Sequence, residues 1–183
     1  MAEVRASINS TDWHTDNCFG CGEKNYAGLK ANFSFYEPTG EVRFDYLPKH
    51  QLEGAMGYCH GGSLATLLDE GQGVLCFHLG HFVMTDQLYM KYHKAVPIET
   101  TIHVRAWITA VRKRRLYTKA TLTNDEGDIL VSSKASWYIF NERLIRKLFH
   151  EYYDEEKLQK LKDVLEANRK RAKQIRIRLG QQK

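Results

Sequence analysis

The sequence predicts an α+β domain in which an antiparallel sheet of about six strands covers one long apolar helix, with a helical extension behind it. Three features carry that expectation: two alternating apolar segments before residue 50, a helical apolar period over residues 61–79, and four further alternating segments over residues 83–140. In the first pair, Leu29, Ala31, Phe33 and Phe35 alternate with polar residues, Pro38-Thr39-Gly40 interrupts, and Val42, Phe44 and Tyr46 resume the alternation. This is a hairpin with one buried face. The period then changes: Leu64, Leu67, Leu68, Gly71, Leu75 and Leu79 fall on one face of a helix of about twenty residues.

The later segments run from about Val83 to His93, Ile98 to Val111, Leu116 to Thr123 and Ile129 to Phe140. Pro97, the cluster Arg112-Lys113-Arg114-Arg115 and Asn124-Asp125-Glu126-Gly127 punctuate them. Ile102, Val104, Ala106, Ile108 and Ala110 share one face, as do Ile129, Val131, Ala135 and Ile139, and the short connections predict antiparallel neighbours. Residues 1–140 are therefore expected as one domain, with residues 1–28 as a loop segment, and residues 141–183 as a helical extension. In the extension Leu158, Leu161, Leu165, Asn168, Ala172, Ile175 and Leu179 repeat at spacings of three and four. The stripe suits packing on the parent domain or a dimer mate as well as an independent coiled coil.

The chain of 183 residues is 43% hydrophobic, enough for one packed core, and its formal charge is +5. That charge is unevenly placed. Residues 168–183 hold seven Lys and Arg and no acid, which leaves 20 bases against 22 acids in the rest, a body at −2. The basic balance thus belongs to the tail, and a nucleic-acid or acidic-partner module is the weaker reading. The first thirty residues lack a basic start followed by an apolar run, and residues 71–85 are too short and polar to cross a bilayer, so a cytoplasmic protein without a transmembrane segment is expected. Four cysteines are too few for a disulfide scaffold. Cys18 and Cys21 have the spacing of half a zinc site, but no second pair completes it; His14, Cys59 and His60 are the nearest recruits in the sequence. No metal is expected, and the thiols are expected to pack as small apolar groups in a glycine-bearing loop.

Chemistry concentrates in Tyr58-Cys-His-Gly-Gly-Ser-Leu-Ala-Thr-Leu-Leu-Asp-Glu. Asp69 and Glu70 are the sole formal charges between Gly61 and Gly80, in the third helical turn, too deep to serve as an N-cap. Successive helical residues point about 100° apart, so one carboxylate is expected toward solvent or a partner and the other against the sheet. Such a carboxylate is either satisfied structurally or reactive. Ahead of it, His60-Gly61-Gly62 opens the helix, where free amides and the helix dipole can hold developing negative charge.

With this element order, His60-Gly61-Gly62 at the helix start and Asp69 within it, the chain resembles the hotdog-fold acyl-CoA thioesterases of the phenylacetate-pathway and thioesterase-superfamily-member type. The resemblance runs from about Cys18 to Phe140 and includes Cys-Phe-Gly-Cys-Gly with Asn25 and Gly28-Leu29, and Val83-Met84-Thr85 through Tyr92 to Pro97. It implies a curved sheet wrapped round the helix and hydrolysis of acyl-CoA thioesters without a cofactor, coenzyme A being part of the substrate. It implies Asp69 as general base or nucleophile, the amide of Gly61 or Gly62 as oxyanion donor, and Thr85, from the same or the other subunit, as the hydroxyl that positions water. His60 fixes the loop or contacts the thioester. Arg112, Lys113 and Arg114, with Arg115, Lys91 and Lys94, become candidates for the coenzyme A phosphates, and Met56, Tyr58 and Met90 for an acyl tunnel. A homodimer or dimer of dimers is implied. Gly54 stands where some relatives have Asn, which keeps open an acyl-CoA-binding protein without turnover.

Overall fold

The two apolar periods become two layers. The computed structural model describes the backbone of residues 5–7 and 14–181 and the side chains of residues 14–175. A seven-stranded antiparallel sheet is formed by β1 (Arg5–Ser7), β2 (Ser34–Tyr36), β3 (Glu41–Tyr46), β6 (Val83–Tyr92), β7 (Ile102–Arg112), β8 (Arg115–Thr123) and β9 (Ile129–Ile139). A two-stranded hairpin, β4 (Glu53–Ala55) and β5 (Tyr58–Cys59), leads into helix α1 (Gly61–His78). Helices α2 (Glu142–Leu148) and α3 (Glu155–Gln181) complete the chain. The six strands read from the alternation are all present, and the three-residue β1 and the β4–β5 hairpin are additions.

Strand order in the sheet is β1-β2-β3-β7-β8-β9-β6. The rule that short connections join neighbours fails at one place: β6 does not pair with β7 but crosses to the far edge, alongside β9. Buried Val96, followed by the bridge between Pro97 and Tyr58, anchors the connecting segment across the mouth of the sheet. The face assignments need two corrections, both caused by bulges. A register shift between Ile108 and Ala110 ends the buried face of β7 at Ile108, and one opposite Leu122 and Thr123 turns Ile129 outward, 47% exposed, while Leu130 and Val131 are both buried.

Helix α1 lies on the concave layer because its sheet-facing side is small as well as apolar. A Cβ on Gly71 would stand 3.0 Å from the Phe44 ring and one on Gly73 3.4 Å from Trp137. Between them Gln72 is fully buried and satisfied: its amide donates to Leu68 O and Ser133 Oγ, and its Oε1 accepts from Thr118 Oγ1 at 2.7 Å. Trp137 Nε1 donates to Thr118 in turn, so a polar chain crosses the helix–sheet interface with each of its members paired.

The heptad stripe of α3 packs on its own domain. Leu158, Leu161 and Leu165 cluster with Phe77 of α1 and Ile145 of α2, and Ala172 and Ile175 join the main core. The polar member of the stripe closes the end of α1. Asn168 Nδ2 donates to the Phe77 carbonyl, and Arg169 donates to Gly80 O, satisfying carbonyls where that helix stops. Gly80 (φ +83°) makes this approach possible, since a Cβ there would lie 2.6 Å from Leu165 O. The side chains of Leu179, Arg176, Arg178 and Lys183 lie outside the described residues.

Candidate active site

The start of α1 is built by its capping histidine. His60 has extended φ and ψ, and its Nδ1 accepts the Gly62 N–H at 3.0 Å while its carbonyl accepts Ser63 N–H at 3.0 Å. His60 thus fixes the loop from within. Of the two glycine amides expected to receive an oxyanion, the one at Gly62 is already used by this cap, and Gly61 N–H is the helix-start donor with no hydrogen-bond acceptor among the described residues. Tyr92 Oη donates to Gly61 O at 2.9 Å, placing an aromatic ring of β6 against the same glycine. A cleft of about 380 Å³ opens here, lined by Ala55, Tyr58, Gly61, Leu64 and Tyr92. Gly54 is pressed on His60: a Cβ there would come within 2.9 Å of His60 Cα, so an Asn cannot occupy that position with the histidine as it stands. Of the other tunnel candidates, Met56 is almost wholly exposed and Met90 packs on the core.

Asp69 is two turns further along. Thr85 Oγ1 donates to Asp69 Oδ1 at 3.0 Å within one chain, joining α1 to the edge strand β6. The contact depends on a bulge between Thr85 and Gln87, where Asp86 is the extra residue. Asp86 is held in turn by Arg115 and by Ser136 Oγ, so the bulge is pinned by charge. Burial raises the Asp69 carboxyl above the ordinary aspartate range, and the Thr85 hydrogen bond works in the opposite direction.

The cations divide between two ends of the sheet. Arg115 faces Tyr138 and Met84 faces the same Tyr138, so the exposed turn residues Arg112, Lys113 and Arg114 sit in the row of strands that holds Thr85. Exposed Lys91 lies at the other end of β6, beside Tyr92 and the helix start. Arg115 and Lys94 are engaged, the latter with Asp128 at 2.7 Å.

The two acidic neighbours face different surroundings. Glu70 points to the other side of α1, under the loop of residues 14–31, where its Oε1 lies 3.3 Å from Cys18 Sγ. The thiols are not simple apolar filling: His14 Nδ1 is 3.2 Å from Cys21 Sγ, and one donor atom from each of His14, Cys18, Cys21 and Glu70 lies within 4.8 Å of the others. Cys18 is held far below the usual thiol range, chiefly by its hydrogen bond with Cys21, and burial pushes Glu70 up to about 8. Nothing in the spacing of the sequence joins Glu70 to Cys18, and Asp86, Ser136 and Gln72 likewise carry no local signal.

Residues 56–131 match the family model of the thioesterase superfamily. Over that segment the chain is similar to the thioesterase superfamily. Over 88 residues it is 28% identical to the acyl-coenzyme A thioesterase THEM4 of Rattus norvegicus, a stretch of 48% of this chain and 38% of that one, so the match spans under two fifths of the relative's length. Among solved structures, the thioesterase superfamily protein RHA08564 superposes with a TM-score of 0.64 at 24% identity, over 68% of this chain and 61% of that one. The protein smu.793 of Streptococcus mutans UA159, bound to acetyl CoA, superposes with a TM-score of 0.54 at 18% identity, over 56% of this chain and 83% of its own. The chain has the hotdog fold, an antiparallel sheet packed on a long helix. No helix among the described residues is long and apolar enough to cross a membrane.

Proposed function

We propose that the protein hydrolyses acyl-CoA thioesters to free acid and coenzyme A, with Asp69 as general base and with each site completed by a second copy of the chain. The observation that carries this reading is the Thr85 to Asp69 hydrogen bond at 3.0 Å on an open sheet edge. With Oδ1 engaged by Thr85, Oδ2 is left to accept a proton from water, and that water attacks the thioester carbonyl. Charge gathers on the carbonyl oxygen, and the thiolate of coenzyme A leaves and is protonated. No covalent intermediate is required, and Asp69 as nucleophile is the variant to exclude by labelled-water incorporation.

The oxyanion donor explains the second copy. Gly61 and Asp69 are eight residues apart on one helix, about 12 Å along its axis. One carbonyl cannot lie within hydrogen-bond reach of Gly61 N–H while its carbon meets a water held by Asp69 of the same chain. Strand β6 supports the solution: it is a ten-residue strand at the sheet edge, with Met84, Tyr89 and Tyr92 more than half exposed. Pairing of β6 with its counterpart brings the Gly61 end of one copy toward the Asp69 end of the other. Arg112, Lys113, Arg114 and Lys91 then flank the site as partners for coenzyme A phosphates. The matched relatives support the substrate class, since one is an acyl-coenzyme A thioesterase and a solved neighbour holds acetyl CoA.

Thiol release from a panel of acyl-CoAs tests the reading. Asp69→Asn should retain a folded dimer and lose about 10²- to 10⁴-fold in kcat; full turnover in that variant overturns the assignment. A second reading, acyl-CoA binding without turnover, is favoured by one observation, the close packing of Gly54 on His60 where some relatives place an Asn. Saturable acyl-CoA binding to the wild type with no thiol released selects it.

A further inference from the structure

We propose that His14, Cys18, Cys21 and Glu70 form a tetrahedral zinc(II) site that clamps the N-terminal loop onto α1, one residue from Asp69. The donor set is two thiols, an imidazole nitrogen and a carboxylate, the ligand chemistry that zinc takes in closed four-coordinate sites. The spacing agrees. Zinc bonds of about 2.0–2.3 Å set tetrahedral ligand atoms roughly 3.3–3.8 Å apart. The shortest contacts fall near that range, 3.2 Å from His14 Nδ1 to Cys21 Sγ, 3.3 Å from Cys18 Sγ to Glu70 Oε1 and 3.5 Å from His14 Nδ1 to the other carboxylate oxygen, Oε2, and one donor atom from each of the four residues lies within 4.8 Å of the others.

The backbone is shaped for this convergence. A Cβ on Gly20 would lie 2.1 Å from Glu70 Cγ, so the position just before the second cysteine has to be glycine for the Glu70 side chain to enter the loop as it does. A Cβ on Gly22 would meet Asp16 O at 2.4 Å and Cys18 N at 2.5 Å, which shows how tightly the loop is wound after the second cysteine. Gly22 N–H donates to Cys18 O at 2.9 Å, and Leu29 and Ala31 donate to Phe19 O and Gly20 O, fixing both cysteines against the first hairpin. The fourth donor arrives from α1, 49 positions after Cys21.

The contact of His14 Nδ1 with Glu70 Oε2 at 3.5 Å is an ion pair only when the imidazole is protonated. Glu70 Oε2 is buried and accepts no hydrogen bond from the described residues, and two sulfurs lie beside it. With both thiols and the carboxyl deprotonated and His14 neutral the cluster carries −3, which zinc reduces to −1 with release of the ligand protons. All four positions are filled by protein, so the ion has a structural role here and no place for a reacting water. Its consequence for the proposed chemistry is positional: it holds the α1 turn that carries Asp69.

The test uses the full chain, reduced, stripped with chelator and shown folded by circular dichroism, then titrated with Co²⁺ as a spectroscopic substitute for zinc. One equivalent per chain should produce tetrahedral d–d bands and a thiolate charge-transfer band, both displaced by Zn²⁺. Cys18→Ser and Cys21→Ser should lose the charge-transfer band in part and weaken binding by orders of magnitude, Glu70→Gln should weaken it about tenfold or more, and Cys59→Ala should leave it unchanged. Absence of these bands in the reduced, folded wild type overturns the proposal, as does an unchanged spectrum in both serine variants. Asp69→Asn should keep the cobalt spectrum whether or not turnover is lost, so failure of the metal site and failure of the thioesterase reading are separately visible.

Discussion

Asp69 and Glu70 are consecutive residues of one helix with the same functional group, and their surroundings divide α1 into two sides. On the Asp69 side the carboxylate meets a hydroxyl from an edge strand, one oxygen bonded and the sheet ending beside it. On the Glu70 side it meets a glycine-bound loop, two thiols and an imidazole. The first arrangement leaves room for a substrate and a partner. The second encloses its group and ties chain segments together, and further along the helix Phe77 and His78 make attachments of the same kind, to α3 and to β2. The proposed chemistry and the attachment of chain segments are thus separated by about 100° of helix rotation rather than by distance along the chain.

That division can be broken by substitutions on either side. The largest effect is expected from Asp69→Asn, about 10²- to 10⁴-fold in kcat with an unchanged melting temperature, read by thiol release and calorimetry. A stability loss without an activity loss would show that Asp69 belongs to the structural side. Leu158→Ala, wholly within the α3 contact, should cost about 2–5 kcal/mol in denaturant unfolding. Its kcat per folded molecule should stay at the wild-type value. For the same reason a chain ended after residue 140 is expected to fold poorly rather than to behave as an independent catalytic unit, because Ala172 and Ile175 belong to the main core.

A third effect concerns pH. His78 stacks on Phe35 at 5.0 Å with neither ring nitrogen hydrogen-bonded, and burial, followed by the nearby Arg171 charge, lowers it to about 4. The unfolded chain binds that proton near pH 6.5, so the folded state loses stability as pH falls from about 6.5 toward 4, roughly 3 kcal/mol in all. His78→Leu should flatten that part of the stability profile; an unaltered slope would assign it to other groups. The smallest effect is expected from Asn168→Ala, about 0.5–1.5 kcal/mol for the lost hydrogen bond to the Phe77 carbonyl, which keeps the Gly80 N–H as a donor, with activity untouched.

Much of the architecture is legible locally. Alternation locates β2, β3 and β6 to β9 to within a few residues, and the helical period places α1, because burial of one face imposes a period on any strand or helix. The Asp69 to Thr85 pair is within reach through a family resemblance, although the bulge that delivers Thr85 is not. Bulges also account for the misassigned Ile129 and Ala110: an inserted residue changes which side chains share a face without changing the composition of the segment. The cap formed by His60 Nδ1 cannot be inferred from glycine spacing, and it removes the Gly62 amide from the candidates.

Periodicity and turn chemistry act over a few residues, and for that reason the elements, their order and the basic tail can be read from the chain alone. The crossing of β6 to the outer edge, the use of Asn168 as a cap for α1 and the meeting of Glu70 with Cys18 depend on which distant segments share a surface. Such contacts are set when apolar faces are buried together, and the polar groups carried along with those faces find partners that no local pattern announces.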